Sequence, residues 1–550
     1  HIRSVKNKDT GSSNRLPDEL NIGEKVISNS HEIASQLNEY FTTISKRLNS
    51  TERTSISDDI ININNFVRDK VPVDVEFQIP HITTSQVSDF LNKLDPSKAT
   101  GLDGVSPRIL KLACDVLSPS IALLINKSLQ TSQFPNELKI AKVFPIFKSG
   151  NKTDPSNYRP ISILPTLSKI FEKHVNKHLM SYLNKYKLIH ECQSGFRHKH
   201  SCQTALVKLI DQWMTSIDHG DLVGTMFIDF KKAFDMVDHS LLISKLSSYK
   251  LSSASVNWFK SYLSSRVQAI KSEQGLSEFS QTLSGVPQGS ILGPTLFLIF
   301  INDLPLSIKH CSADFFADDS TLHASGKTKT EVESKLQSDG TESCAWSKRN
   351  RLPINYDKST IMATGTKQKL KHIETIDIEI DNSKLKHVKS QKLLGIIIDE
   401  TLSWTPHIDY LCATISSRIS LLKQLATYVP DNIQKLFYQT YILPLIDYGS
   451  VAWGTTANTN IERLNKLQKR AARIILKADF MTPSAVMFNR LDWMPVNSRI
   501  KYNKAVFTYK ALNEQTPSYI TDLLKPTAET CTRRLRSSES NCLTVPRSRT

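Results

Sequence analysis

Three aspartates stand out by type and position: Asp229, Asp318 and Asp319. Asp318 and Asp319 are adjacent, in the run Phe315-Phe316-Ala317-Asp318-Asp319-Ser320-Thr321-Leu322-His323, which reads as strand, tight turn at Asp318-Asp319, strand. Two carboxylates side by side at a hairpin tip repel each other, and Asn-Gly or Asp-Gly fits a two-residue turn better than Asp-Asp. A hard divalent cation such as Mg2+, which prefers carboxylate oxygen, would relieve the repulsion. A solvated acidic turn is the ordinary explanation of an isolated Asp-Asp. Asp229 shifts the balance. It ends the apolar run Leu222-Val223-Gly224-Thr225-Met226-Phe227-Ile228, where a carboxylate is unexpected unless it sits at a strand end facing a site. Two such strands side by side would bring Asp229 near Asp318. A site of that kind could hold two metal ions about 3.5–4 Å apart, clamping the attacking and leaving oxygens of an in-line phosphoryl transfer. This chemistry needs positioning and charge neutralisation more than a special nucleophile.

The elements that must position these acids are partly readable. Thr84-Ser85 caps a predicted helix through Val87, Phe90, Leu91 and Leu94, which Pro96 stops. Residues 95–104 read as a long turn. Helices are expected at 107–117, 119–131, 166–186, 231–249, 254–264, 290–303 and 329–349, and a strand with a proline bend at 141–147. Residues 1–80 are polar and poorly patterned. They are expected to form a loose extension or linker, with a short amphipathic helix at Asn38–Leu48. Ile461–Lys477 has an apolar stripe of Ile461, Leu464, Leu467, Ala471 and Ile474. Arg463, Lys466, Arg470, Arg473 and Lys477 cover another face, either as solvated charge or as a track for a phosphate backbone. Strands and helices mix without a βαβα alternation, which predicts an α+β fold.

The 550 residues suffice for roughly three or four domains. A net charge of +17 with pI ≈ 9.3 favours a polyanionic partner, nucleic acid being the commonest. The eight cysteines are scattered with no CxxC pair, so no zinc knuckle or ribbon is expected, and they fit a reducing compartment. His190 and Cys192 lack partners at ligand spacing and read as structural. No apolar stretch approaches the 18 residues of a membrane span, and the first residues lack a signal-peptide pattern. Both ends read as the edges of a fragment.

At this point the sequence becomes recognisable. Phe227-Ile228-Asp229-Phe230-Lys231-Lys232-Ala233-Phe234-Asp235-Met236-Val237-Asp238-His239 resembles motif A of reverse transcriptases from non-LTR (LINE-type) retrotransposons, jockey-like elements above all. Ser284-Gly285-Val286-Pro287-Gln288-Gly289-Ser290-Ile291-Leu292-Gly293-Pro294 is similar to their motif B, and Phe316-Ala317-Asp318-Asp319 to motif C. Asn157–Ser162, Lys169–Lys173 and Gln193–Arg197 resemble the family's fingers motifs. Asn355 with Lys358 resembles motif D, and Leu393-Leu394-Gly395 motif E. Tyr448–Ser450 with Trp453-Gly454 resembles a segment past the start of the thumb. The resemblance runs from about residue 85 to 550.

The resemblance implies a right-hand polymerase with an antiparallel palm sheet: fingers over 81–215, palm over 216–405 and thumb over 406–480. An N-terminal extension, 1–80, and a basic, truncated C-terminal extension, 481–550, would flank them. It implies RNA-directed DNA synthesis with two Mg2+ ions, Mn2+ being possible, and dNTP substrates. Asp229 and Asp318 would be the main ligands and Asp319 a supporting one. Phe234 would exclude a 2′-hydroxyl, or else pack in the core. Gln288 and Gly289 would border the nucleotide, or only form a turn before a helix. Lys148 and Arg159 would grip the triphosphate, or lie on a solvated surface. Lys358 would protonate the leaving pyrophosphate, or sit at the surface. The partners implied are an RNA template and a DNA primer or target DNA, with no membrane. The location implied is the nucleus, with a cytoplasmic ribonucleoprotein stage. The family's endonuclease has no counterpart in residues 1–80. The chain departs from the family pattern at Asp314, Asp339-Gly340, Arg351 and Cys202. Two other functions stay open. One is a catalytically inactive remnant that only binds RNA or ribonucleoprotein. The other is a maturase-like or domesticated relative, for which no associated zinc motif is present.

Overall fold

Seven consecutive residues, Leu222–Ile228, are buried, so the run can only be a central strand covered on both faces. The computed structural model describes residues 16–48, 57–525, 527 and 543–544. The chain divides into two units, each mixing helix and sheet: His1–Gln193 with Phe230–Ile308 and Glu342–Asn355, and Ser194–Asp229 with Lys309–Thr341 and Tyr356–Thr550. The α+β expectation holds.

In the second unit the strand Leu222–Ile228 is the middle of five. The order is Lys386–His387, Thr360–Thr364, Leu222–Ile228, Asp319–Gly326, Ser312–Phe316. All pairings are antiparallel except that of the short edge strand Lys386–His387. Alternate residues serve the two faces. On one, Val332 and Leu336 approach Gly224 closely. On the other, Val223 and Phe227 join Leu206, Leu209 and Trp213 of the helix Cys202–Asp218 and Trp404 and Ile408 in one core. Each such buried side chain contributes about 1.5–3 kcal/mol relative to exposure. The helix Asn458–Leu476 enters the same core through Leu464, Ala471 and Ile475, with Ile461, Leu467 and Ile474 beside them, as its apolar stripe predicts.

In the first unit, strands Tyr158–Ile163, Ile140–Phe147, Arg266–Ser272 and Gly275–Leu276 form a second sheet. Ile140–Phe147 and Arg266–Ser272 run parallel. The loose extension expected over 1–80 is corrected for the described part. A hairpin, Leu20–Ile22 with Lys25–Ile27, leads into a 19-residue helix, Ser30–Leu48. That helix buries Ile33, Ala34, Leu37 and Phe41 against Ala141, Val143, Tyr158 and Ile270. The apolar positions keep helical spacing but are diluted by polar residues, and the surface they cover, from Ala141 to Ile270, lies far downstream. A further helix, Ser57–Arg68, sets its buried Asp59 against Arg349 at 3.0 Å and Asn350 Nδ2 at 3.0 Å.

Two other boundaries move. The break expected before Pro119 falls at Ala113, so Pro107–Leu112 is followed by Cys114–Thr131 with Pro119 inside it. The helix expected over 231–249 is split at Val237 into Ala233–Met236 and His239–Ser248, the second capped by Asp238. Among the described residues no helix is long and apolar enough to cross a membrane.

Candidate functional site

The register of the five-stranded sheet decides where the acids lie. Ser320 stands opposite Ile228, and Thr360 opposite Phe227. Asp229 follows Ile228 and Asp319 precedes Ser320, so the two acids adjoin the last pair of that ladder, whereas Lys358 lies in the turn before Thr360, and Phe230 bridges to Ile354. Directly opposed residues in antiparallel strands have Cα atoms about 4.5–5.5 Å apart. The backbone N–H of Asp229 donates to Ser359 Oγ at 3.1 Å, which ties two of the three strand ends together. Asp229 and Asp318 are half-buried, and Asp319 and Lys358 are exposed.

The turn is shifted by one residue from expectation. Asp319 pairs with Phe316, so the two turn residues are Ala317 and Asp318, and Asp319 is the first residue of a strand. Ala317 takes the left-handed conformation, φ 60°, which costs an L-residue about 1–2 kcal/mol. Neighbouring backbone holds it there. Ser194 N–H donates to Phe315 O at 2.8 Å. A Cβ added at Gly195 would lie 2.4 Å from Ala317 N, so only glycine admits the approach. Below the turn, the Asp314 carboxylate accepts from Lys208 Nζ at 2.8 Å and faces His323 Nε2 at 3.2 Å. The acid that departs from the family pattern is therefore a paired one.

The donors at this sheet end are hard carboxylate oxygens, the type that suits Mg2+ or Mn2+. Among the described residues no three His, Cys, Asp or Glu side chains form a group that could hold a metal ion. What the strands bring together is two strand ends, Asp229 after Ile228 and Asp319 before Ser320, with Asp318 in the adjoining turn.

The remaining predicted residues belong to the first unit. Lys148 follows the strand Ile140–Phe147 and is exposed, its N–H donating to Asn157 O at 2.9 Å. Arg159, also exposed, lies opposite Ile146 on the neighbouring strand. Phe234 stacks on Phe297 with centroids 4.3 Å apart, and its carbonyl accepts from Val286 N–H at 2.9 Å. Gln288 Nε2 donates to Asp235 Oδ1 at 2.8 Å, and Gln288 O accepts from Ser162 N–H at 2.7 Å. Gly289, at φ 119°, presses on Ser162, where a Cβ would meet the carbonyl oxygen at 2.4 Å. Gln288 is thus held by Asp235, Gly289 by Ser162 and Phe234 by Phe297. Glu172 caps the motif B helix Leu292–Ile301 from outside, accepting from Ile291 and Leu292 N–H at 2.6 and 3.2 Å.

Sequence reasoning gave no role to Asp235, His239 or Arg266, which line a cavity of about 40 Å³ together with Gln288. Burial pushes the Asp235 carboxyl up to about 6, against the pull of the Gln288 hydrogen bond and the charges of Lys232 and Arg159. Burial lowers the His239 imidazole, whose Nε2 lies 2.8 Å from Gly285 O. Asp235 could have been noticed as an acid between Phe234 and Met236, whereas Arg266 gave no signal. Two further departures have structural reasons. Asp339 accepts from the N–H groups of Lys309, His310 and Cys311 at 3.2, 2.7 and 2.6 Å. Arg351 sits at φ 55° and pairs with Asp238 at 2.5 Å.

Comparison with known proteins follows the same residues. The family model described as "Reverse transcriptase (RNA-dependent DNA polymerase)" matches residues 148–411. The chain is 30% identical over 443 residues to the "Probable RNA-directed DNA polymerase from transposon BS" of Drosophila melanogaster, covering 78% of this chain and 48% of that protein. It is 26% identical to the "RNA-directed DNA polymerase from mobile element jockey" of the same fly over 74% of this chain and 45% of the relative. The "Probable RNA-directed DNA polymerase from transposon X-element" of that fly is likewise 26% identical, over 76% of this chain and 46% of the relative. The chain spans about half the length of these curated relatives. Motifs and matched residues converge: residues 148–411 are similar to the reverse transcriptase family, and most of the chain is similar to RNA-directed DNA polymerases of non-LTR retrotransposons.

Proposed function

We propose that this chain is an RNA-directed DNA polymerase that copies the RNA of its own element onto a DNA primer by two-metal-ion nucleotidyl transfer. The observation that supports it most is that Asp229 and Asp319 adjoin the last residue pair of two neighbouring strands, Ile228 opposite Ser320, with Asp318 in the next turn. In this reading residues 81–215 are fingers, 216–405 palm and 406–480 thumb. Asp229 and Asp318, supported by Asp319, would hold two Mg2+ ions, which would supply charge neutralisation at the phosphates and at the attacking oxygen. Lys358 gives a proton to the departing pyrophosphate. Lys148 and Arg159 bind the triphosphate, Arg159 through its planar fork of donors. Phe234, fixed on Phe297, sets the shape that excludes a 2′-hydroxyl. Gln288, oriented by Asp235, and Gly289 border the incoming nucleotide.

Primer extension by the whole chain on an RNA template with dNTPs and Mg2+ tests this. Wild type extends, and Asp229→Ala or Asp318→Ala lowers the rate more than about 100-fold. No extension by wild type, or equal extension by Asp318→Ala, defeats the reading. Retained RNA binding without extension would leave the RNA-holding remnant instead.

A further inference from the structure

The hairpin carrying Asp318 and Asp319 rests on a stretch of chain that does no chemistry itself. Ser194 N–H bonds Phe315 O, Gly195 abuts Ala317 with no room for a methyl group, and Lys208 pairs with Asp314 at 2.8 Å. Residues 194–208 therefore set both the height of the turn and the charge balance of the strand before it. Their own support comes from far along the chain. Tyr519, on the short helix Ser518–Thr521, puts its hydroxyl 3.1 Å from Ser194 Oγ and donates to Thr204 Oγ1 at 3.4 Å. Its ring meets His200 edge-on at 5.7 Å and lies 5.2 Å from Lys208 Nζ. One side chain thus touches the segment at Ser194, His200, Thr204 and Lys208, at both of its ends and twice between. Ile520, 1% exposed, anchors the helix that presents it. Tyr519 lies well beyond residues 148–411, the part that matches the family model.

We propose that Tyr519 is a positioning residue for the carboxylate hairpin, through which the C-terminal part of the chain fixes Ala317-Asp318 from behind. The inference rests on the reading of Asp229, Asp318 and Asp319 as the polymerase acids. The contact at Gly195 has no slack, so a shift of residues 194–208 moves the turn with it. Misplacing a reacting group by about 1 Å costs a rate factor of about 100.

The test uses the whole chain and two readouts. Hydrogen exchange of a peptide covering 312–323 is expected to speed up about tenfold in Tyr519→Ala, with exchange elsewhere in the second unit unchanged, as for a local opening. In primer extension the same variant lowers kcat about 10- to 100-fold while KM for dNTP stays within about twofold, the pattern of a lost transition-state arrangement. Tyr519→Phe keeps the ring against His200 and Lys208 and recovers most of both. Unchanged exchange at 312–323 in Tyr519→Ala overturns the inference whatever the activity. So does exchange that rises evenly through the unit, which would make Tyr519 a stability residue only. Local exchange that responds in a chain whose wild type does not extend a primer keeps the mechanical link and defeats the polymerase reading instead.

Discussion

At Asp235 a carboxyl is held where water is scarce, and burial lifts its pKa to about 6 although Gln288, Lys232 and Arg159 all favour the charged form. In the unfolded chain it titrates near the ordinary 3.8. Between those values the native state binds more protons than the unfolded one. Its contribution to stability is therefore complete below 3.8 and lost as pH rises through about 6. Two pKa units correspond to up to about 3 kcal/mol at neutral pH. Replacing Asp235 by Asn keeps an oxygen for Gln288 and removes the charge. In urea unfolding followed from pH 4 to 7.5, Asp235→Asn is expected to match wild type at the acid end and exceed it by about 2–3 kcal/mol at the other. Parallel curves across that range would show that Asp235 is not the source. A carboxylate kept at such a cost, beside Gln288, marks a position retained for something other than stability.

Elements show why part of this was legible. Leu222–Ile228 announced itself, because a strand buried on both faces is a continuous apolar run whatever its partners are. The acid after it, and the Asp-Asp that breaks the turn rules, were readable for the same local reason. Register was not local. Which of Asp318 and Asp319 stands beside Asp229 depends on pairing with residues nearly a hundred positions away, and the strands set Asp319 there. The turn lies one residue before the Asp318-Asp319 that the sequence predicts, because Ala317, a poor left-handed residue, is held in place by Gly195 from another segment. Of the N-terminal helix Ser30–Leu48 the sequence predicts only Asn38–Leu48, and its docking is not legible because much of its fastening is polar and distant. Asn38, 1% exposed, donates to Gln268 O at 3.2 Å, Glu278 O at 2.9 Å and Ser280 Oγ at 3.0 Å, and accepts from Gln268 Nε2 at 3.0 Å. Asn38→Ala leaves the buried Gln268 side-chain amide without this acceptor and removes a donor from Glu278 O and Ser280 Oγ, so it is expected to destabilise the fold by about 1–3 kcal/mol in equilibrium denaturation. Asn38→Ala within about 0.5 kcal/mol of wild type, the range of ordinary surface substitutions, would mean that the helix Ser30–Leu48 is not fastened there.

Over the whole molecule the charge of +17 sets the terms on which a polyanion is met. Part of that surplus is tied up locally. On the helix Asn458–Leu476, Arg463 pairs with Asp409 and Lys469 with Glu462. Arg473 lies 5.2 Å from the ring of Phe480. Lys466, Arg470 and, just past the helix end, Lys477 are exposed instead. At 1.5 Å rise per residue they are spread over about 16 Å, a reach of several phosphates. Each cation that neutralises a phosphate releases counterions, and the logarithm of affinity falls with that of salt by about 0.7–0.9 per contact. A chain with all three replaced by Ala should bind RNA–DNA duplex more weakly at low salt, and its salt slope should be shallower by about 2–3. The loss should be the same for unrelated sequences, because phosphate contacts carry no base information. A slope equal to that of wild type would assign these three residues to solvent and move the phosphate track elsewhere on the surface.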